Sequence, residues 1–539
     1  MRGVIVYPKQ YFIYLLNIII TGSIILLLSA CSHRTAQAPI PKQESVTKLP
    51  KGKAPLLNYL EKTDKKLANN SAFYPLPQPT DAFAARLFLI DNATTSLDVQ
   101  YYIYKDDRIG KVFTAHLLLA AQRGVKVRIL IDDMITSGKD EEWEKLALHP
   151  NIELRLFNPN RLRTSFRNIA LLLDVNRLGR RMHNKALVAD GSAAIIGGRN
   201  IGNVYFASSK ETLFIDYDVL VTGKVIPDIY KAFDIYWNSK ESVPSKEIFL
   251  YNDPKAYLAA KKDLEDELKA FSKSSIGKAI IKSDFNQKIA KKKLKLIVAK
   301  RTDLYYDHPS KVNTSEEDNS THISSQISED LKHVENDLVI ISPYFIPSDR
   351  MMARLKILRE SDVEVTVITN SLASTDVFLV YGGYKGYIKA LVEMGVKLYE
   401  VKPHSFKKFF KTKKWANHRT LSLHTKMMIL DNNRMGIGSA NMDPRSDKLN
   451  TEIFMIVSSE KLAKEQRERL AEAVSLKNLY KLSWGEHPKV FDEDVTRYGP
   501  IWHTIEEGKE TIYYSPPHTG FWKKIGTNIS SFLPIKGYL

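Results

Sequence analysis

The residues of this sequence that could do chemistry occur in two copies of one pattern. Each copy has the spacing His-x-Lys-x4-Asp, followed after six intervening residues by two small residues, one further residue and Asn. The members are His183, Lys185, Asp190, Gly197, Gly198 and Asn200 in the first copy and His424, Lys426, Asp431, Gly438, Ser439 and Asn441 in the second.

The residue types in each copy suit a phosphate group. A histidine and a lysine separated by one residue lie on the same face of a strand, so both side chains reach one pocket. Lysine and asparagine neutralise and orient the non-bridging oxygens, the imidazole is free to react, and small residues let backbone and substrate approach closely. The aspartate of each copy lies at the far end of a strand from the histidine, and we expect it to be structural.

One copy alone lacks the groups for a displacement at phosphorus, which needs a reactive group on each side of the atom. Two copies that agree over histidine, lysine, aspartate, a small pair and asparagine therefore predict one shared site, to which each half contributes a histidine. The sequence contains neither a His/Cys cluster at zinc spacing nor a Gly-rich phosphate loop of the Lys-Ser/Thr kind. We expect no metal and no other cofactor.

The doubled pattern resembles the phospholipase D superfamily and, within it, the C-type branch of the bacterial cardiolipin synthase group. The resemblance runs from about Asp81 to the C-terminus. Besides the motifs it is carried by the segments 96–104, 197–202, 369–376, 438–446, 450–452 and 513–516. Tyr381 departs from it, because many relatives have histidine there, and so does the long basic segment 245–330. Both departures leave the choice of acceptor open.

The resemblance implies an α/β fold: two tandem phospholipase D-like α/β/α sandwich domains in one bilobal body, with the active site at their interface. It also implies metal-free transfer through a covalent phosphohistidine, with His183 as nucleophile and His424 as general acid and base. The residues themselves do not distinguish these two roles. By the same resemblance the phosphoryl oxygens are held by Lys185, Lys426, Asn200 and Asn441.

Each histidine needs a partner that fixes its ring and keeps one nitrogen free. Glu452 is the expected partner in the second half, the half of His424. Asp216 and Asp218 compete in the first half, and Asp218 is favoured because the residues that follow it align with those that follow Glu452. Ser439 is expected to form a hydrogen bond in the substrate pocket, where its counterpart in the first copy is a glycine.

The composition is that of a globular protein, with 44% hydrophobic and 26% charged residues. Lys and Arg outnumber Asp and Glu by 79 to 61, and the net charge of +18 favours an anionic partner. We expect an anionic phospholipid membrane and phospholipid substrates, with no obligatory nucleic acid. The oligomeric state stays open.

The N-terminal segment is typical of a bacterial lipoprotein. An apolar run over 11–28 ends in Leu-Ser-Ala-Cys, and Cys31 is the single cysteine of the chain. This thiol stands where lipoproteins are acylated after removal of a signal peptide, here residues 1–30. The alternative is an uncleaved transmembrane anchor, because the run is nearly long enough to span a bilayer. We expect the protein on the periplasmic face of the outer or inner membrane.

The rest of the sequence alternates between strand and helix patterns in βαβ order, which predicts largely parallel sheets. The predicted divisions are a flexible tether over 31–80, an N-terminal phospholipase D-like domain over 81–244, a charged connecting segment over 245–330, a C-terminal phospholipase D-like domain over 331–485 and a C-terminal extension over 486–539, packed irregularly on the body.

Transfer of a phosphatidyl group to phosphatidylglycerol or a related alcohol, giving cardiolipin, is the favoured function. Hydrolysis by the same site, of phospholipid to phosphatidic acid or of nucleic acid, is the nearest alternative, although a nuclease does not need a lipid anchor. A non-catalytic lipid-binding protein is the alternative from another class. The intact His, Lys and Asn of both copies argue against it.

Overall fold

The structure is a computed structural model that describes residues 44–52, 69–136, 140–160, 163, 174–248, 254–315, 322–404, 420–488 and 496–532. The predicted signal peptide and Cys31 lie outside these residues. The described residues belong to one structural unit.

Strands of the first half build one sheet. In chain order the strands up to the middle of the chain are β1 (Ser71–Leu76), β2 (Ser96–Tyr101), β3 (Lys126–Asp132), β4 (Ile152–Phe157), β5 (Ala186–Ala189), β6 (Ala193–Gly197), β7 (Thr212–Ile215), β8 (Asp218–Gly223), β9 (Ser242–Pro244) and β10 (Ile297–Ala299). Among the described residues the sheet has nine strands in the order β10-β1-β8-β6-β5-β2-β3-β4-β9.

The second half builds another sheet. Its strands and those that follow are β11 (Arg301–Tyr306), β12 (Asp337–Ile341), β13 (Glu364–Asn370), β14 (Lys397–Val401), β15 (Thr420–Leu423), β16 (Met427–Leu430), β17 (Arg434–Gly438), β18 (Ile453–Ser458), β19 (Leu479–Glu486), β20 (Tyr498–Glu506) and β21 (Lys509–Tyr513). Ten described strands form this sheet in the order β11-β18-β17-β16-β12-β13-β14-β19-β20-β21, and β15 pairs separately with β7.

The two sheets share one topology. The order β1-β8-β6-β5-β2-β3-β4-β9 is repeated by β11-β18-β17-β16-β12-β13-β14-β19. In the first series β2–β3 and β3–β4 are parallel and the other pairs antiparallel, and in the second β12–β13 and β13–β14 are the parallel pairs. The prediction of largely parallel sheets is therefore wrong, because the strands that follow each motif return as antiparallel hairpins. The sequence repeat is a repeat of the fold.

Helices connect the strands and pack against the sheets. Side chains satisfy free N–H groups where helices begin; Asp107 accepts a hydrogen bond from Gly110, and Ser348 accepts one from Met351. The helices are α1 (Pro79–Asn92), α2 (Arg108–Gln122), α3 (Asp140–Ala147), α4 (Val175–Leu178), α5 (Ile226–Asn238), α6 (Pro254–Lys273), α7 (Ser275–Ile281), α8 (Asp284–Ala290), α9 (Ile323–Asp330), α10 (Asp349–Glu360), α11 (Phe378–Lys385), α12 (Ile388–Glu393), α13 (Glu460–Ala473) and α14 (Phe521–Phe532). In the part of the chain that the structure describes, no helix combines the length and apolarity needed to cross a bilayer.

A shared hydrophobic core joins the two halves. Leu187 and Ile195 of the first sheet belong to the same buried cluster as Ile429 and Ile437 of the second. β6 and β17 also contact each other. Both strands follow a His-x-Lys motif, so their contact brings the two motifs to one interface.

Order begins earlier than the predicted boundary at Asp81. β1 pairs with both β8 and β10, and the hydroxyl of Thr47 donates a hydrogen bond to Oδ2 of Asp98 at 2.8 Å. The predicted tether is therefore wrong over 44–52 and 71–76. Its proline-rich composition concealed β1, in which Pro75 lies beyond the residues that pair with β10 and so occupies an edge position that tolerates proline.

The outer segments are also more regular than predicted. The connecting segment 245–330 contributes β10 to the first sheet and β11 to the second. The C-terminal extension, expected to pack irregularly, adds β20 and β21 to the edge of the second sheet and ends in α14. Such edge strands are half exposed, so their side chains lack the apolar run that marks a central strand.

Candidate active site

His183 is positioned by backbone pairing with the second half of the chain. Its N–H donates a hydrogen bond to the carbonyl of Thr451 at 2.8 Å, and the N–H of Thr451 donates to the carbonyl of Arg181 at 2.8 Å. Met182 and Thr451 form a parallel bridge just before β5. The next residue after Thr451 is Glu452, which is thereby brought beside the first motif.

His424 is positioned in the same way with the halves exchanged. β15 pairs in parallel with β7 of the first half. The N–H of His424, directly after β15, donates to the carbonyl of Ile215 at 2.7 Å. The next residue after Ile215 is Asp216, which is thereby brought beside the second motif.

Each imidazole is oriented by a carboxylate from the opposite half. Nδ1 of His183 lies 2.9 Å from both carboxylate oxygens of Glu452, and Nδ1 of His424 lies 2.6 Å from Oδ2 of Asp216. All four side chains are buried. An ionised carboxylate only accepts hydrogen bonds, so Nδ1 carries the ring proton and Nε2 keeps a free lone pair. The site thus presents two nucleophilic nitrogens.

The structure corrects the predicted carboxylate partners. Glu452 contacts the histidine of the first motif instead of the second, and the second histidine is held by Asp216. Asp218, the favoured residue, forms ion pairs at 3.0 Å with Arg86 and with Arg199 in the core. It holds arginines in place and contacts neither imidazole.

Strand register explains the correction. Asp218 lies opposite Gly197 in β6, whereas the equivalent glycine of β17 lies opposite Phe454. Phe454 follows Glu452 by two positions, so the residue of the first half that corresponds to Glu452 is Asp216. Because side chains alternate along a strand, residues two apart share a face, and the register distinguishes them.

Two buried lysines flank the histidines. Nζ of Lys185 donates to the carbonyl of His183 at 2.5 Å, and Nζ of Lys426 donates to the carbonyl of His424 at 2.6 Å. Burial lowers the pKa of Lys185 well below its ordinary value and that of Lys426 to about 8, although nearby carboxylates oppose this. A bound anion favours the charged form of both side chains, so the lysines suit a phosphate group.

The two imidazoles share one electrostatic environment. Burial, together with the charges of Lys185 and Lys426, lowers the pKa of His183 well below its ordinary value and that of His424 to about 4, although Asp216 opposes the shift of His424. The charges of the same two lysines act on both rings, so the two motifs lie close together. Both imidazoles are neutral at neutral pH.

The two carboxylates differ in their acidity. Burial raises the pKa of Glu452 to about 6, in spite of hydrogen bonds from the hydroxyls of Ser439 and Ser446. Burial would raise the pKa of Asp216 as well, but its pairing with His424 and the positive charges of Lys426 and Arg199 outweigh that effect, and the pKa is lowered. Asp216 therefore stays ionised to a lower pH than Glu452 does.

Known proteins match this chain over both copies of the repeat. The family described as "Cardiolipin synthase, PLD-like domain" matches residues 87–237 and 327–473. Cardiolipin synthase C of Escherichia coli (strain K12) is 35% identical over 470 residues, which cover 86% of this chain and 96% of that protein. The chain belongs to this phospholipase D-like cardiolipin synthase family.

Two further proteins are similar to this chain. A Helicobacter pylori protein (strain ATCC 700392 / 26695), itself uncharacterised, is 34% identical over 482 residues, 88% of this chain and 91% of that one. The crystal structure of phosphatidylserine synthase from Haemophilus influenzae Rd KW20 superposes with a TM-score of 0.52 at 13% identity, over 79% of this chain and 92% of that chain, and so shares the fold. The predictions of superfamily, of an α/β fold with two phospholipase D-like domains, and of an enzyme are confirmed.

Aromatic side chains enclose both histidines of this phospholipase D-like site. The ring of Tyr102 meets His183 edge-on at 4.9 Å, and the rings of Tyr205 and Phe214 lie 5.2 and 4.9 Å from His424. These rings pack against the imidazoles and contribute to their burial. Sequence reasoning missed all three, because an aromatic residue in a strand-rich segment is ordinarily part of the core.

The two motif asparagines have different surroundings. Oδ1 of Asn200 accepts from the N–H of Ile103 at 3.0 Å, and its Nδ2 donates to the hydroxyl of Tyr205 at 2.9 Å. Asn200 therefore positions a ring that contacts His424. The buried Oδ1 of Asn441 has no partner among the described atoms, and this residue lines a pocket, open to solvent, whose lining includes neither motif histidine. It is the asparagine available to a ligand.

Ser439 differs from its prediction. Its hydroxyl donates to Oε2 of Glu452 and not into open pocket space. Because Glu452 in turn holds His183, Ser439 orients the carboxylate of Glu452.

The motif aspartates lie away from the histidines, in the turns after β5 and β16. Asp190 and Asp431 have φ angles of 53° and 50°. The carboxylate of Asp190 accepts hydrogen bonds from the N–H groups of residues 94–96, and that of Asp431 accepts from those of 335–337. Each aspartate ties its hairpin to the start of β2 or β12, which is a structural role.

Over the residues that the structure describes, no group of three or more His, Cys, Asp or Glu side chains is arranged to hold a metal ion.

Proposed function

We propose that this protein is a membrane-associated phosphatidyltransferase that makes cardiolipin through a covalent phosphohistidine. The observation that carries the proposal is the pair of imidazoles, each with Nδ1 held by a carboxylate and Nε2 free. A phosphorus atom between two such nitrogens meets a nucleophile on one side and an acid on the other. The substrate class is supported by the names of relatives, cardiolipin synthase C of Escherichia coli and cardiolipin synthase of Oceanobacillus iheyensis.

The proposed reaction has two displacements. Nε2 of His183 attacks the phosphorus of the donor phospholipid; the N–P bond forms as the P–O bond to the leaving alcohol breaks, and His424 protonates that oxygen. The hydroxyl of the acceptor then gives its proton to His424 and attacks phosphorus, and the N–P bond breaks. With phosphatidylglycerol as donor and acceptor, the products are cardiolipin and glycerol.

The difference between the carboxylates supports these roles. A general acid must carry a proton. Asp216, which stays ionised to a lower pH than Glu452, stabilises an imidazolium at His424. The negative charge of a bound phosphodiester also raises the pKa of His424 from about 4, so the ring gains its proton when substrate binds. His183 stays neutral and nucleophilic, because its partner Glu452 has the higher pKa of the two carboxylates and stabilises an imidazolium less.

Three side chains are proposed to hold the phosphoryl oxygens of the substrate. Lys185 and Lys426 each use one proton on a carbonyl and retain two for substrate, and Asn441 adds its amide. Each such donor contributes on the order of 2–4 kcal/mol of transition-state stabilisation. Asn200 acts through Tyr205.

The proposed location is the periplasmic face of a bacterial membrane. Cys31 would be acylated after removal of residues 1–30, and the basic net charge of +18 suits anionic phospholipid. Replacement of Cys31 by serine should then release the protein from membranes or leave it unprocessed. Unchanged mobility and fractionation would remove the lipoprotein assignment.

The reaction is tested with the purified full-length protein in phosphatidylglycerol vesicles, with and without phosphatidylethanolamine. Cardiolipin among the separated lipids, absent with His183→Ala, supports transfer. Phosphatidic acid alone identifies a hydrolase and contradicts transfer. No phospholipid product in either mixture contradicts the proposal as well.

A further inference from the structure

The helix α14 begins with two exposed aromatic side chains. Phe521 is 68% exposed and Trp522 is 80% exposed, and their rings lie 5.5 Å apart. Large apolar side chains that adjoin each other in water mark a surface that binds something.

Two more exposed rings lie on elements that touch α14. Phe378 in α11 is 37% exposed and packs against Gly526, where even a Cβ would be 3.1 Å from the ring. Tyr514 is 40% exposed and precedes Ser515, whose hydroxyl accepts a hydrogen bond from Lys524 at 3.2 Å. We call Phe378, Tyr514, Phe521 and Trp522 the aromatic patch.

The sequence around α14 is basic, although Asp376 lies near Lys523. Lys523 and Lys524 follow the two exposed rings directly, and residues 515–539 contain three lysines and neither Asp nor Glu. Trp and Tyr rings with adjacent lysines are the combination found at the headgroup level of membranes, where the rings enter the interface and the ammonium groups meet anionic lipid.

A short path of contacts joins α14 to the active site. Nζ of Lys523 donates to the carbonyl of Thr375 at 2.9 Å. In the same loop, Asn370 exchanges two hydrogen bonds with the backbone of Leu423, at 2.8 and 2.9 Å. Leu423 directly precedes His424. The loop 370–376 therefore lies between α14 and the second histidine motif.

We propose that the aromatic patch inserts into the headgroup region of an anionic phospholipid bilayer and holds the active site against its lipid substrate. The purpose of this contact rests on the proposed function, whereas the contact itself does not. The lysines favour anionic lipid over a second copy of this chain, because two positive patches repel each other.

The contact is tested by tryptophan fluorescence of the full-length protein in phosphatidylglycerol vesicles that contain lipid brominated on its acyl chains. Bromine quenches rings that enter the bilayer. We expect quenching of the wild type, loss of most of it in Trp522→Phe, and no loss in Trp143→Phe, which alters a buried ring of the first half. Equal quenching in wild type and Trp522→Phe, or none in the wild type, overturns the proposal.

The purpose is tested by turnover with the double variant Phe521→Ser/Trp522→Ser. We expect turnover of vesicle phosphatidylglycerol to fall about tenfold and turnover of a dispersed short-chain phosphatidylglycerol to stay unchanged. Leu258→Ser, at a residue 63% exposed in α6, is the matched control and should change neither. Equal losses on both substrates overturn the proposal.

Two outcomes separate this proposal from its alternatives. A wild-type protein without activity on any phospholipid, but with quenching that depends on Trp522, refutes the proposed function and supports the membrane contact. A change in sedimentation from dimer to monomer in the double variant, without lipid quenching in the wild type, identifies a second copy as the occupant and overturns the contact.

Discussion

The surroundings of His183 and His424 are alike in backbone and different in side chains. Both residues donate their backbone N–H to a carbonyl group of the opposite half. In both, Nδ1 of the ring forms a hydrogen bond with the carboxylate of the residue that follows that carbonyl group. The carboxylate of His183 is Glu452, with two hydroxyl donors and a pKa raised to about 6. The carboxylate of His424 is Asp216, whose pKa is lowered.

The length of the carboxylate side chain accounts for another difference between the motifs. A Cβ at Gly198 would overlap the carboxylate of Asp216, so the first copy requires glycine there. The longer Glu452 leaves room for Ser439 at the equivalent position, and the serine bonds to it. A symmetric fold thus carries two unequal histidines, which is what a reaction with a separate nucleophile and acid requires.

Loss of either imidazole should have the largest effect. We expect His183→Ala and His424→Ala each to lower kcat by at least about 10⁴-fold, the size of loss seen when a nucleophile or its base is removed. The two should differ in the covalent adduct: mass spectrometry should find none in His183→Ala and an accumulated phosphatidyl adduct in His424→Ala. The surface variant His333→Ala is the control. Substantial activity in either variant contradicts a shared site.

Neutral replacement of the carboxylates should have the next largest effect. Asp216→Asn removes the anion that stabilises the imidazolium at His424, and we expect a loss of about 10³- to 10⁴-fold in kcat. Glu452→Gln should lose less, about 10²-fold, because a nucleophile needs its partner mainly for orientation.

Asp218→Asn is the matched control for the carboxylates. It removes a partner of Arg86 and Arg199, so the midpoint of thermal unfolding should fall while kcat of the folded protein changes little. A loss of kcat in Asp218→Asn as large as in Asp216→Asn, with unchanged thermal stability, would contradict the assignment.

The repeated motif made the fold and the reactive residues predictable. Two copies with identical spacing indicate His183, Lys185, His424 and Lys426 without any structure, because chance does not repeat so many positions. The pairing of carboxylates was not accessible in the same way. It depends on contacts between β7 and β15 and between Met182 and Thr451, which join distant parts of the chain and have no local pattern.

Other misses have equally physical causes. Choosing Asp216 over Asp218 requires the register of β8, since both residues share one face of the chain. The aromatic neighbours of the histidines, such as Tyr205, have the same composition signal as core residues. β1 contains proline and has few apolar neighbours in sequence, so its place in the sheet follows from pairing alone.

Replacement of the two serines that donate hydrogen bonds to Glu452 should have a smaller effect, which acts through the pKa of that carboxylate. Their hydrogen bonds favour the ionised carboxylate, so Ser439→Ala should raise the pKa of Glu452 above about 6. Activity needs this carboxylate ionised and is lost as the pH falls through that pKa. The acid limb of the pH–kcat profile should therefore move to higher pH by up to about one unit, with a loss of no more than about tenfold at pH 8.

The comparison for this variant is Ser361→Ala, which removes a serine at the end of α10 and should leave the profile unchanged. Ser446→Ala should move the acid limb in the same direction as Ser439→Ala. An acid limb that stays in place in both variants means that Glu452 does not govern it.

The motif aspartates should have the smallest effect on activity and again differ between the halves. Asp190→Asn and Asp431→Asn each weaken hydrogen bonds to three backbone N–H groups, so the free energy of unfolding should fall by about 1–3 kcal/mol while kcat changes less than about threefold. Asp190 should lose more, because it is fully buried and also accepts from the hydroxyl of Thr94 at 2.9 Å. Denaturant titration measures the loss of stability. A large fall in kcat at unchanged stability would show that these carboxylates take part in catalysis.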